Sequence, residues 1–471
     1  MNGVSTADLA LLSPELILVG MVLALILAAH RIQRGPLALV GTIVAAVASA
    51  AAAAWVVPAD GATGFGGMIA LDGYSRFFEV LIAASLAVAA LLSVKSLDGD
   101  RVPRAEYHAL LLLASTGMML AVSSLDLLTL YLGVELMTLC SIVLVGIRVD
   151  RPASNEAAIK YFLIASFASA LLLFGISLTY GVTGATDFAA IGSALRGRSS
   201  DPLLLAAMGL LAAGLAFKIA AVPFHAWAPD AYEGASAPVA AFLAAGSKAA
   251  GLAALGRVCL VALGSEARTL SMILAALAAL SIVVGSIIVL SQTSMKRLLA
   301  YSSITHAGYA LLGLVAGTPE GASATMTYAG FYVFMTLGAF GVVIALGERG
   351  ETLDGFQGLA AQRPGTAALM LLFLLALTGI PPTAGFVAKF GVILSAVRAD
   401  HVALAVLAVI CSVVSAFVYM RIAVFMYMKE PLEPAPSRFP VTVCAALAVT
   451  ALVTLVGGIL PGSLAPWTVP P

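Results

Sequence analysis

Four ionisable side chains interrupt long apolar runs. They are Glu135 in Tyr131-Leu-Gly-Val-Glu135-Leu-Met-Thr-Leu, Lys218 in Ala213-Gly-Leu-Ala-Phe-Lys218-Ile-Ala-Ala, Lys248 in Gly246-Ser-Lys248-Ala-Ala-Gly, and Lys389 in Gly385-Phe-Val-Ala-Lys389-Phe-Gly-Val. A charge at the centre of a membrane-spanning helix costs about 2.5–3.5 kcal/mol even on lenient insertion scales. Interhelical salt bridges could account for one such residue, but three lysines outnumber the mid-run acids. Lysine suits proton relay: burial loosens the hold of an amine on its proton, and a nearby carboxylate restores it. Histidine can do the same. His225 and His306, in Phe224-His225-Ala and Ile304-Thr-His306-Ala-Gly, are therefore read as relay points. His30, His108 and His401 lie near helix ends and are read as structural. Glu156 and Lys160, one turn apart, are either an i,i+4 ion pair or the intake of the relay. Glu79 and Asp72 are further acids of less certain role. No Ser/His/Asp triad or paired catalytic carboxylates stand out. The expected chemistry is movement of protons and charge.

The elements holding these residues follow from composition. The chain has 471 residues, 61% hydrophobic and 10% charged, with zero formal net charge. Soluble domains carry about 25% charged residues, and neutrality argues against nucleic-acid binding. The four cysteines, Cys140, Cys259, Cys411 and Cys444, fall singly in apolar runs. That pattern excludes disulfide, Fe–S and metal frameworks. Gly64-Phe65-Gly66-Gly67 does not extend into a dinucleotide fingerprint, so no nucleotide or other cofactor is expected on this chain. Asp8 and Glu15 precede the first apolar run without a basic segment, so that run reads as a retained helix rather than a cleaved signal.

The apolar runs have spanning length and predict about fourteen transmembrane helices, at 13–32, 37–57, 74–96, 105–122, 125–147, 156–181, 202–222, 236–261, 268–290, 297–317, 322–346, 366–397, 402–428 and 438–460. The expected class is an all-α integral membrane protein, since only helices and closed barrels satisfy their backbone in lipid. Basic residues of short loops set orientation. The odd-numbered loops hold Arg31, Arg34, Lys95, Arg101, Arg104, Arg148, Arg151, Lys296, Arg297, Arg349, Arg363, Lys429 and Arg438; the even-numbered hold Arg76, Arg196, Arg198, Arg268 and Arg398. The odd loops are read as cytoplasmic and both termini as periplasmic. Prolines at Ala221-Val-Pro223-Phe-His225-Ala-Trp-Ala-Pro229 and at Gly379-Ile-Pro381-Pro382-Thr383 predict broken helices seven and twelve. Paired breaks point to inverted repeats, here spans 4–8 and 9–13. The expected division is 1–104, a three-helix segment; 105–261 and 262–430, the two repeats; and 431–471, a last helix. Glu135 precedes Lys218 by the same interval as His306 precedes Lys389, an offset of 171 residues that Lys248 does not share.

The string from Lys218 to Gly234, with Ala237-Pro238-Val239 and Ser247-Lys248-Ala-Ala-Gly251, resembles the signature of antiporter-like subunits. These occur in respiratory complex I, in multisubunit sodium/proton antiporters and in membrane hydrogenases. Glu135, Ser303-Ile-Thr-His306-Ala-Gly308 and Pro381-Pro-Thr-Ala-Gly-Phe-Val-Ala-Lys389 fit it too. Ser13-Pro-Glu15-Leu16, Leu71-Asp72-Gly73 and Asp354-Gly-Phe-Gln-Gly-Leu359 resemble the complex I branch. Lys389 stands where the M-type subunit has a glutamate, and the long lateral helix of the L-type is not seen. The resemblance implies Glu135 and Lys218 as a coupled pair, Lys248 as central relay and Lys389 as exit. It implies a bacterial inner-membrane complex in which NAD, FMN, Fe–S clusters and quinone react on partner subunits. The implied partners are an M-type subunit and small membrane subunits, with the bilayer and protons. A sodium/proton antiporter subunit, a hydrogenase subunit and a purely structural assembly subunit remain alternatives.

Overall fold

The computed structural model describes residues 5–32, 36–56, 61–99, 102–196, 201–432, 434–436 and 438–471. The loop cations Arg34, Arg101 and Arg198 lie outside them. The helices run in chain order as α1 Ser13–Leu27, α2 Leu37–Trp55, α3 Gly73–Gly99, α4 Arg104–Ser123, α5 Leu127–Val145 and α6 Pro152–Thr183. Helix seven is divided into α7a Pro202–Lys218 and α7b Trp227–Gly234, and helix eight into α8a Ala237–Phe242 and α8b Lys248–Arg257. Then come α9 Ala267–Ile288, α10 Met295–Val315, α11 Pro319–Leu346, α12a Pro364–Thr378 and α12b Ala384–Arg398, α13 Val402–Met428 and α14 Val441–Ile459. Among the described residues, eleven helices are long and apolar enough to cross a bilayer, and α1, α7a and α12a are shorter apolar helices. The fold is thus helical and multi-spanning, as expected.

One local departure is a two-stranded hairpin, Ala62–Gly64 against Ile69–Leu71. The glycine-rich loop at 64–67 forms its turn, with Gly66 and Gly67 at positive φ.

Burial separates lipid-facing from internal helices. Leu132, Phe167, Val413 and Phe417 are exposed. In hydrocarbon such surface is at home, and packing rather than hydrophobicity joins helices. Along α8, α10 and α11 almost every residue is enclosed, so the middle of the molecule sits there. The helix that bears Glu135 is drawn in by small residues: a Cβ on Gly117 of α4 would meet Met137 N at 2.5 Å, and one on Gly133 of α5 would meet Ala121 N at 2.6 Å. Only glycine permits that backbone approach.

Both predicted breaks exist. After α7a, Ala220 takes φ 55°; after α12a, Gly379 takes φ 89°. These positions correspond at an offset of 159 residues, as do Pro223 and Pro382. The offset of 171 therefore does not register the two breaks. Lys218 is the last residue of a first half-helix, whereas Lys389 lies within a second half-helix.

Candidate functional site

Each break frees backbone groups that must be satisfied inside the protein. At the first, Trp227 Nε1 donates to the Phe217 carbonyl (2.9 Å), and the Val222 N–H donates to Ser281 Oγ (2.9 Å). Trp227 is fixed by stacking on Tyr161, centroids 4.5 Å apart. At the second, Lys389 Nζ donates to the Thr378 carbonyl (2.8 Å), the last of α12a. A half-helix C-terminus carries partial negative charge from unpaired carbonyls. Lys218 ends α7a, and Lys389 caps α12a from the next half-helix. A Cβ at Gly379 would meet Lys389 Cδ at 2.9 Å, so this turn needs glycine for both its φ and its space.

Lys218, Lys248 and Lys389 are 3%, 1% and 6% exposed. Among the described residues, none forms an ion pair with a carboxylate. Neutral oxygens hold them instead. Lys218 Nζ donates to Thr138 Oγ1, which donates onward to the Val134 carbonyl (2.5 Å). Lys248 Nζ donates to Ser303 Oγ (2.7 Å). Lys389 has a second acceptor in Ser412 Oγ (3.0 Å) and lies over the Tyr309 ring, 4.5 Å from its centroid.

Glu135 is half-buried and accepts from Ser169 Oγ (2.6 Å), itself 3.1 Å from Tyr131 OH. The coupled pair implied by resemblance is not a direct contact. Thr138, one turn after Glu135 on the same face of α5, takes Lys218 in its place. His306 Nδ1 is 2.6 Å from Tyr328 OH, inside a cage of Tyr309, Tyr328 and Tyr332. His225 lies in the loop after α7a, half-buried, and its Nδ1 has no hydrogen-bond partner among the described residues. His306 follows Ser303, the partner of Lys248, by one turn, and its ring lies 5.9 Å from that of Tyr309, over which Lys389 sits. The structure thus brings Lys248, His306 and Lys389 into one buried neighbourhood spanning α8, α10 and α12b.

Glu156 and Lys160 are brought together elsewhere, as an exposed i,i+4 ion pair at 2.7 Å. Lys160 extends it to Asp230 (3.5 Å), and Arg297 joins Asp230 (2.9 Å) and Glu233 (2.8 Å). Near Lys296, a cleft of about 550 Å³ gathers the odd-loop cations Lys95, Arg148, Arg151 and Arg349 with Glu348 and Glu351. His108 and His401 are satisfied by Thr42 (3.0 Å) and Ser271 (3.0 Å), in keeping with a structural role.

Sequence reading missed the hydroxyl partners Thr138, Ser169, Ser303 and Ser412. The only available signal was helical phase: Thr138 follows Glu135 by three, and Ser303 precedes His306 by three. It also missed Arg257. This residue is 1% exposed and meets both carboxylate oxygens of Asp72 at 2.8 Å. Its guanidinium lies over the Tyr74 ring at 4.9 Å. Burial pushes the Asp72 carboxyl up, but Arg257 and the Ser75 bonds bring it below its ordinary value overall. Lys248 and Arg257 are the first and last residues of α8b, which lies between two π turns, Leu243–Ser247 and Val258–Ala262.

Residues 124–415 match the family model described as NADH:quinone oxidoreductase/Mrp antiporter, TM. The chain is 44% identical to NADH-quinone oxidoreductase subunit N of Desulfovibrio desulfuricans, over 98% of this chain and 96% of that one. It is 42% identical to subunit N 2 of Rhizobium meliloti, over 95% and 94%. Among solved structures, a chain of respiratory complex I from Thermus thermophilus with bound aureothin superposes with TM-score 0.84 at 33% identity, over 96% of this chain and 98% of that one. A chain of the Mrp complex from Dietzia shares the fold, with TM-score 0.87 at 22% identity, over 98% and 96%.

Proposed function

The chain belongs to the NADH:quinone oxidoreductase/Mrp antiporter membrane family, and from that we propose that it is the N-type, proton-translocating membrane subunit of a bacterial NADH–quinone oxidoreductase. Glu135, Lys218, His225, Lys248, His306 and Lys389 carry the protons. Glu156 and Lys160 are an exposed ion pair or the intake. The observation that supports this best is the set of three enclosed lysines held by hydroxyls and carbonyls instead of carboxylates. A lysine locked in a salt bridge resists giving up its proton; one held by a neutral oxygen does not. An outward step against 100 mV costs about 2.3 kcal/mol. The drive comes from quinone reduction on partner subunits.

Those partners carry NAD, FMN, Fe–S clusters and quinone, and include an M-type subunit and small membrane subunits. The complex sits in the inner membrane with both termini of this chain periplasmic and the basic cleft cytoplasmic. Residues 105–261 and 262–430 form the two repeats, each with its broken helix fourth of five. Residues 1–104 and 431–471 flank them.

Lys248→Ala in the assembled, reconstituted complex should lose most proton pumping and coupled quinone reduction. Full pumping by that variant would refute the relay. Sodium-dependent proton flux in vesicles without NADH would instead assign the chain to an antiporter.

A further inference from the structure

The cleft of about 550 Å³ at the odd-loop face has the start of helix eight in its wall. Helix eight is continuous through its π turns, from Ala237 to Ala262, 26 residues. Ser236 and Ala237 line the cleft. The first rung of the ladder runs from the Ala240 N–H to the Ser236 carbonyl (3.0 Å). The Ala237 and Val239 N–H groups come before it and have no partner within the helix, and Pro238 has no N–H. A serine at this position ordinarily accepts from such a group. Ser236 does not cap, yet it is only 8% exposed, and its side chain is turned to the cleft. Among the described residues its hydroxyl has no hydrogen-bond partner.

Cations surround that hydroxyl. Arg148 Nη2 donates to the Gly234 carbonyl (2.9 Å) and Lys296 Nζ to the Ala235 carbonyl (3.2 Å), so two basic groups hold the chain just before Ser236. Across the cleft, Lys95 of α3 is exposed, with its ammonium 3.4 Å from where a Cβ on Gly347 would stand, at the C-terminal end of α11. Arg151 adds an exposed guanidinium. Arg349 sends its nitrogens to the Gly355 and Gln357 carbonyls and to Gln362, so it contributes charge more than donors. The acids of the lining are Glu351, which Lys296 meets at 3.1 Å, and the exposed Glu348. The cleft therefore keeps a positive field with a hydroxyl and backbone N–H groups in its wall.

We propose that this cleft binds a phosphoryl group, with the Lys95 ammonium, the Ser236 hydroxyl and the first N–H groups of helix eight as donors and Arg151 at the rim. A helix N-terminus favours an anion through its dipole and its unpaired N–H groups. Guanidinium and ammonium groups make their strongest hydrogen bonds to anionic oxygens such as those of phosphate. An anionic lipid headgroup and soluble phosphate offer the same group, and the ends of α3 and α11 lie where either can reach them. The site uses no residue of the lysine row and stands whether or not that row carries protons.

Binding to the assembled, delipidated complex in neutral detergent tests the site with two probes, radiolabelled inorganic phosphate and phosphatidylglycerol in mixed micelles. Lys95→Ala and Ser236→Ala should each weaken binding by about tenfold, the factor that one charge-assisted hydrogen bond supplies. Lys429→Ala, which removes an exposed cation of the same face outside the cleft, should leave it unchanged. Ser236→Ala removes a hydroxyl that holds nothing else and should assemble at the wild-type level. Weakening seen with inorganic phosphate identifies a soluble ligand; weakening seen with phosphatidylglycerol alone identifies a lipid headgroup. Wild-type affinity for both probes in either cleft variant, or equal weakening in Lys429→Ala, would overturn the site. So would failure of the wild-type complex to bind either probe; joined to loss of assembly in Lys95→Ala, that result would give the cleft to a carboxylate of a partner subunit.

Discussion

Removing Asp72 tests the packing that carries helix eight. The Arg257 guanidinium is enclosed, and among the described residues its only carboxylate partner is Asp72, whose side chain is 32% exposed. Breaking a buried pair by deleting one partner costs about 3–5 kcal/mol, because the other charge is stranded. Water at the exposed side of Asp72 screens part of this, so about 2–3 kcal/mol is expected for Asp72→Ala. Arg257→Met should cost less, since it leaves the carboxylate at the wetter position. The double variant should recover most of the loss, because it strands no charge. Thermal unfolding of the detergent-solubilised protein, followed by intrinsic fluorescence, reads all three. The midpoint of Asp72→Ala should fall by several degrees and that of the double variant should return most of the way. Simple additivity of the two single effects, or a wild-type midpoint for Asp72→Ala, would refute the pairing as the source of stability.

Ser303→Ala should leave assembly intact but slow pumping by about tenfold or more, because a hydrogen bond to a charged group is worth about 1.5–3 kcal/mol and, among the described residues, Ser303 is the one hydroxyl on Lys248; proteoliposome pumping per NADH oxidised measures it. Ser412→Ala should do less, since Lys389 keeps the Thr378 carbonyl; equal losses in the two variants would contradict that ranking. The Asp72 carboxyl lies below its ordinary value in the folded protein, so its contribution is complete above the ordinary carboxylate value of about 3.9 and is lost as pH falls through the lower, folded value. A midpoint-against-pH curve for wild type should therefore converge on that of Asp72→Ala only in acid. Glu156→Gln breaks an exposed i,i+4 pair and should leave stability nearly unchanged; a large loss of pumping in that variant would identify the intake.

The spans were legible because lipid demands long apolar helices, and hydropathy records that demand directly. Both breaks were legible as well, since proline in an apolar run has few other meanings. The arrangement around Lys218 was not. Thr138 and Ser303 are ordinary residues in apolar helices, and nothing local says that a lysine from another helix will reach them. The 171-residue offset misled for a related reason. It matched residue types, whereas the two breaks match at the turns Ala220 and Gly379. Arg257 escaped notice because its partner Asp72 is distant in sequence and lies at the start of α3.

Helix eight has a mechanical consequence. An α-ladder fixes the angular phase of every residue along it, so a charge on a long helix is bound to everything before and after. The π turn at 243–247 takes up one residue more than the ladder allows, so the ten residues after it are out of phase with Ala237–Phe242, and a second π turn at 258–262 closes the helix. Lys248 and Arg257 close the two ends of that cylinder. A twist admitted at either turn carries both cations through the same angle, one away from Ser303 and the other away from Asp72. The proton row and the α3 anchor are in this sense two pointers on one axle.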